Sequence, residues 1–200
     1  MQALNIILVL TYLFLAFFGE LLLPFWKGFI PYYYEVAYVI IAFVLFSKKL
    51  EFKVDFSKYG KGFLGSLVAG VLTILLAKGL NTELPFAMNN TFVLFFLVLV
   101  GPLLEELVFR FALWHGFESI TKCQRGTLFL TSVLFALAHF KSVLMVSAPY
   151  MTFISFQFIY VLLVSFWWGE KYIQSKSISV PVIYHILFNL GFGIGAYFLY

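Results

Sequence analysis

Three short segments of this 200-residue chain place ionisable or amide side chains in almost wholly apolar surroundings. GPLLEELVFRF holds Glu105, Glu106 and Arg110 within six residues; LFALAHF carries His139 four residues after Phe135; VIYHILFNLGF carries Asn189 four residues after His185. A carboxylate, two imidazoles and an amide suit the activation of water. The carboxylate takes a proton, while the histidines position the water or a substrate carbonyl and stabilise the oxyanion. The same groups also suit a divalent metal such as zinc, with His139 and His185 as nitrogen ligands and Glu105 as ligand or base. No HExxH is present, so residue types do not choose between the two. Cys123 is the lone cysteine, which excludes an intramolecular disulfide and any multi-cysteine metal site.

Helical phase sorts these residues. At about 100° per residue, Glu106 and Arg110 lie roughly 40° apart and can form an i,i+4 ion pair. Glu105 lies about 140° from Arg110 on the same wheel, so it faces other helices and is the candidate general base. At about 1.5 Å per residue, Glu105 and His139 reach similar depths, roughly 18 and 20 Å from the inner face. His185 and Asn189 fall shallower, at roughly 6 to 15 Å, with Asn189 joining the others through a helix tilt. The expected site is a pocket within the membrane, open to the cytoplasmic side.

The elements that must hold such a pocket follow from composition. Hydrophobic residues make up 63% of the chain and charged ones 11%, with a mean hydropathy of +1.00. A soluble domain of this size cannot bury that much apolar surface, so the solvent for most of the chain is the lipid bilayer. A secreted disulfide scaffold, a disordered tail and a nucleic-acid binder are excluded despite the net charge of +4. With about 20 apolar residues per crossing, the punctuation predicts an all-α, polytopic transmembrane bundle of about seven spans. They cover about 3–23, 31–48, 62–80, 92–114, 126–139, 151–168 and 181–200, forming a single integral-membrane domain over 1–200 with the site-bearing half at 92–200. The join near Lys141 and Pro149 reads as a loop that can be partly inserted. With the N-terminus inside, the inner loops hold nine Lys and Arg and the outer side three, so the orientation is N-in. The first span reads as a retained helix, because no basic residue precedes Lys27 and no A-x-A site follows.

In that order and setting, Glu105-Glu106-xxx-Arg110, Phe135-xxx-His139 and His185-xxx-Asn189 resemble the EExxxR, FxxxH and HxxxN/D motifs of the CAAX prenyl protease and bacteriocin-processing (CPBP, Abi) family of intramembrane endopeptidases. The resemblance covers about residues 101–193; the first three spans match only in hydrophobicity. It implies a helical membrane protease in which Glu105 activates water with His139, and His185 and Asn189 complete the site. It also implies a peptide or protein substrate at the bilayer, in a bacterial or archaeal cell membrane. Family members are described both as metalloproteases and as metal-free glutamate proteases, so the resemblance leaves the metal open. The C-terminus, YFLY, is not itself a CAAX box.

Each residue also has a plainer reading. Glu106 with Arg110 serves as a structural staple, Phe135 as packing and Asn189 as interhelical glue. His115 reads as interfacial, Glu20 and Glu35 as solvated near outer span ends, and Trp167, Trp168 and Tyr172 as an aromatic belt. Pro102 is expected to kink its span and free a carbonyl, and Gly191, Gly193 and Gly195 to permit close helix packing. The alternative function is a non-catalytic membrane protein, such as an immunity factor, scaffold or small transporter, that uses the same pocket for binding.

Overall fold

The computed structural model describes residues 2–22, 33–46, 50–86, 88, 90–144 and 146–200, with the side chains of 2, 3, 17, 19–22, 33 and 34 left out. Among them the regular structure is helical throughout: α1 (Gln2–Leu22), α2 (Tyr33–Phe46), α3 (Phe56–Gly79), α4 (Thr91–Thr121), α5 (Gln124–Phe140), α6 (Ala148–Ser175) and α7 (Ser179–Leu199). The last five are long and apolar enough to cross a membrane, α5 together with the 3-10 turn Lys141–Leu144 that extends it. The first two expected spans correspond to α1 and α2, whose apolar stretches Leu4–Ala16 and Glu35–Phe46 are shorter. Pro24, Lys27, Pro31, Lys48 and Lys49, which set the ends of those two spans in the sequence, lie outside the described residues.

Boundaries shift where local chemistry favours a longer helix. α3 begins six residues before the expected Gly62 because Asp55 caps it, accepting from the Lys58 N–H at 3.1 Å and the Ser57 hydroxyl at 2.6 Å. α4 continues past Trp114 to Thr121 and stops at Lys122, whose positive φ of 51° ends the helix. His115 therefore lies inside the helix. It is buried, with Nδ1 2.6 Å from the Phe111 carbonyl and its ring stacked on Phe46, not interfacial.

Outward side chains such as Leu64, Leu76 and Leu163 are exposed leucines on membrane-length helices, as expected of a lipid-facing surface. Inward, α4 is the central element: α1 and α2 pack on one side of it, and α5 and α7 also contact it. α7 lies tightly along α3. A Cβ on Gly191 would meet the Leu67 carbonyl, one on Gly70 the Phe188 carbonyl, and one on Gly195 the Ile74 side chain. Small residues thus let the two backbones touch, as expected of Gly191 and Gly195. Gly193 faces elsewhere, toward Val98. The Ser66 hydroxyl donates to the Tyr184 carbonyl across the same seam at 2.6 Å.

Two further expectations are corrected. Trp168 and Tyr172 are buried, Trp168 almost completely, so they belong to the core and not to an interfacial belt. Glu35 is buried too, on the wall of the central cavity, while the side chain of Glu20 lies outside the described residues.

Candidate active site

The site is organised by an irregular helix. α4 contains two π-helical stretches, Phe96–Val100 and Leu107–Ala112, with a short α-helical segment Gly101–Glu106 between them. Such bulges re-aim side chains and free backbone groups. In the first, the Gly101 N–H reaches back to the Phe96 carbonyl. Pro102, the next residue, has no N–H to offer. The Leu97 carbonyl thus loses both helical donors, and the Asn189 side chain supplies one instead, at 2.7 Å from Nδ2. The carbonyl expected to be freed near Pro102 is this one.

Glu105 and Glu106, adjacent in sequence, point into different surroundings. Glu106 is sealed. Its Oε2 lies 3.6 Å from Arg110 Nε, and both side chains are 0% exposed. Arg110 donates through Nη2 to the carbonyl and hydroxyl of Ser165, at 2.7 and 2.6 Å, and lies over the Phe135 ring. Glu106 Oε1 accepts from Nδ1 of His185 at 3.0 Å. A carboxylate oxygen accepts, so that nitrogen carries the hydrogen and neutral His185 presents the Nε2 lone pair on its other side. His139 is fixed in the same sense: Nδ1 donates to the Phe135 carbonyl at 2.9 Å.

Both Nε2 atoms converge on one oxygen. His185 Nε2 lies 3.7 Å from Glu105 Oε2, and His139 Nε2 lies 3.9 Å from the same atom. Glu105 and His139 remain 18% and 23% exposed, and His185 5%. All three, with Asn189, line a cavity of about 340 Å³. Phe135 packs edge-on to both imidazoles, at 4.7 Å from His139 and 5.8 Å from His185. The segments expected to meet do meet, with one difference: His185 stands level with Glu105 rather than nearer the inner face, and Asn189 reaches past it to Leu97.

A sequence profile described as type II CAAX prenyl endopeptidase, Rce1-like, matches residues 87–191, a stretch containing every residue of this cluster. The chain belongs to that protease family. No curated protein and no solved structure matches it at significant similarity. The family match leaves α1–α3 uncovered, yet α1 and α2 complete the cavity with Tyr12 and Glu35, and α6 adds Gln157 and Tyr160. Tyr12, Gln157 and Tyr160 went unseen in the sequence, where single polar residues in apolar runs carry no pairing signal, and Glu35 was read there as solvated. Ser165 and Trp168 were also missed. Their i,i+3 spacing, which puts a hydroxyl and a large aromatic on one face of α6, was the available clue.

The separations bear on what the cluster can hold. Ligands about 2.0–2.2 Å from a tetrahedral zinc lie roughly 3.4 Å from one another. The two gaps to Glu105 are wider than that, and among the described residues no group of three His, Cys, Asp or Glu side chains is gathered as a metal site. A water donating to two acceptors about 2.8 Å away holds them roughly 4.5 Å apart, so gaps of 3.7 and 3.9 Å lie between the two spacings and suit either occupant.

The cavity also reaches past the three motif segments. Its wall includes Phe86, Lys141 and Ser142, from the α3–α4 and α5–α6 connections. Those connections lie at the opposite end of the bundle from the turn holding Lys122, Cys123 and Arg125. The cavity thus extends toward the end with fewer basic residues. Lys141 itself donates to the Ala16 carbonyl of α1 at 2.9 Å.

Proposed function

We propose that the protein is an intramembrane endopeptidase that hydrolyses a peptide bond of a membrane-associated peptide or protein with water activated by Glu105. The observation that carries this reading is the convergence of two imidazole Nε2 atoms on a single, partly exposed carboxylate oxygen inside a cavity. Glu105 takes one proton from the water, and the resulting hydroxide oxygen bonds to the scissile carbonyl carbon. His139 accepts a hydrogen bond from the same water and fixes its approach. Collapse of the tetrahedral intermediate breaks the C–N bond, and the proton held by Glu105 passes to the departing amide nitrogen. His185, its tautomer set by Glu106, turns the Nε2 lone pair toward Glu105 and accepts from that carboxyl once it holds the proton. Asn189 gives one N–H to Leu97 and keeps the second for the oxyanion. Glu106, Arg110 and Phe135 position these groups from sealed or packed places.

The protein lies N-in, with the basic α4–α5 turn in the cytoplasm. The same residues suit metal-free or metal-assisted activation of that water, and a chelator-treated sample separates them: an unchanged rate supports the first and a lost rate the second. Cleavage in ¹⁸O-enriched water by purified protein in lipid nanodiscs tests the reading, using a peptide library that includes a farnesylated CAAX peptide. One ¹⁸O in each new carboxyl terminus supports it. Well-folded protein that cuts nothing in the library overturns it in favour of a binding or immunity role.

A further inference from the structure

We propose that Trp168 is a positioning residue for His185, and that the turn Ser165–Gly169 of α6 is a fourth component of the site. This rests on the preceding reading of His185 as part of the hydrolytic cluster. The indole of Trp168 is 1% exposed, borders the cavity and stacks on the His185 ring with centroids 4.3 Å apart and planes 27° apart. A hydrogen bond from Nδ1 to Glu106 anchors one point of an imidazole but leaves the ring able to swing about that bond. A flat face against it removes this freedom, and the edge of Phe135, at 86° to the ring, limits it further. Nε2, the atom facing Glu105, is thereby held in place.

The same turn of α6 holds the other end of the relay. Ser165, three residues earlier, takes Arg110 with its carbonyl and hydroxyl, and Arg110 neighbours Glu106, which anchors His185. Gly169 keeps the approach open: a Cβ there would collide with Leu128 and stand 3.7 Å from Arg110 Nε. The neighbouring Trp167 packs against Tyr184 instead, at 5.2 Å and 81°. Trp168 differs from an ordinary core indole in one respect, because its buried Nε1 has no hydrogen-bond partner among the described residues. Buried tryptophans ordinarily satisfy that N–H.

The test uses the full chain in lipid nanodiscs with Trp168→Leu, Trp168→Phe and Glu105→Gln, assayed on a fluorogenic farnesylated CAAX peptide. ¹⁵N-histidine spectra are recorded alongside, since the chain has three histidines. Trp168→Leu is expected to lower kcat about tenfold or more with KM within about twofold, as misplacement of an aligned group does. Trp168→Phe, which keeps an aromatic face, is expected to restore most of kcat. The His185 ring signals, assigned by their loss in His185→Gln, should be shifted upfield by the indole in wild type and lose that shift in Trp168→Leu. Trp168→Met serves where the leucine variant does not fold. Wild-type kcat in Trp168→Leu while Glu105→Gln is inactive overturns the role of Trp168 alone. An active Glu105→Gln overturns the reading beneath it. Unchanged His185 signals in Trp168→Leu overturn the inference even without turnover.

Discussion

At the scale of the residue, neighbouring glutamates divide their work by what surrounds them. Glu105 meets two histidines at a cavity wall, whereas Glu106 is fully enclosed beside Arg110 and reaches the site only through His185. Removing Arg110 leaves a buried carboxylate without its cation, which costs about 3–5 kcal/mol. Arg110→Ala is therefore expected to lower the melting temperature sharply in detergent, while Glu105→Gln melts as wild type does. Equal melting of Arg110→Ala and wild type would show that the pair does not hold the fold. Much of this division was legible in the sequence: the 40° offset of Glu106 from Arg110 against the 140° of Glu105 already separated a paired from an unpaired acid. The bond from Glu106 to His185 was not, because helical phase carries no information about which residue of another helix arrives opposite.

At the scale of the element, irregular backbone and small residues set the geometry. The π-helical stretch before Pro102 gives Asn189 its acceptor, a link that only the path of the backbone reveals. The α3–α7 seam was legible in the glycines of span 7, although their partner helix was not. Since a Cβ on Gly191 would meet backbone and not a movable side chain, Gly191→Ala is expected to cost about 1–3 kcal/mol and to depress activity by moving His185 and Asn189 on the same helix. Unchanged melting would show that the seam can widen. The start of α3 carries a separate signature. The Ser57 hydroxyl first, and then the Lys58 N–H, hold the Asp55 carboxyl below its ordinary range. Because the folded-state value is lowered, its contribution is present above the unfolded carboxylate pKa of about 3.9 and is lost as pH falls through the folded value. The melting-temperature gap between wild type and Asp55→Asn should close over that acid range. A gap that persists below it would contradict the cap.

At the scale of the whole molecule, the cavity extends toward the end of the bundle opposite the basic α4–α5 turn, so the side of the membrane that this end faces follows from topology. Cys123 is exposed in that turn and is the only cysteine, which makes the native protein its own reporter. With N-in topology, a membrane-impermeant maleimide should leave Cys123 unlabelled in intact cells and label it after permeabilisation. Labelling in intact cells would invert the orientation and place the cavity end in the cytoplasm. The count of basic residues gives the expected orientation that this labelling tests, but which way the cavity runs was hidden, since it depends on the offset of α5 and α7 along α4. Depth counted from helix starts put His185 too shallow for the same reason.

The central claim, that Glu105 supplies the base for hydrolysis in this cavity, is tested most directly by measuring kcat for wild type and Glu105→Gln in lipid nanodiscs on a peptide that wild type cuts. Glutamine keeps the size and much of the hydrogen bonding of the side chain but cannot accept the proton. A fall of about 10² to 10⁴ in kcat with unchanged melting is the predicted result. A folded Glu105→Gln that turns over at the wild-type rate would contradict it.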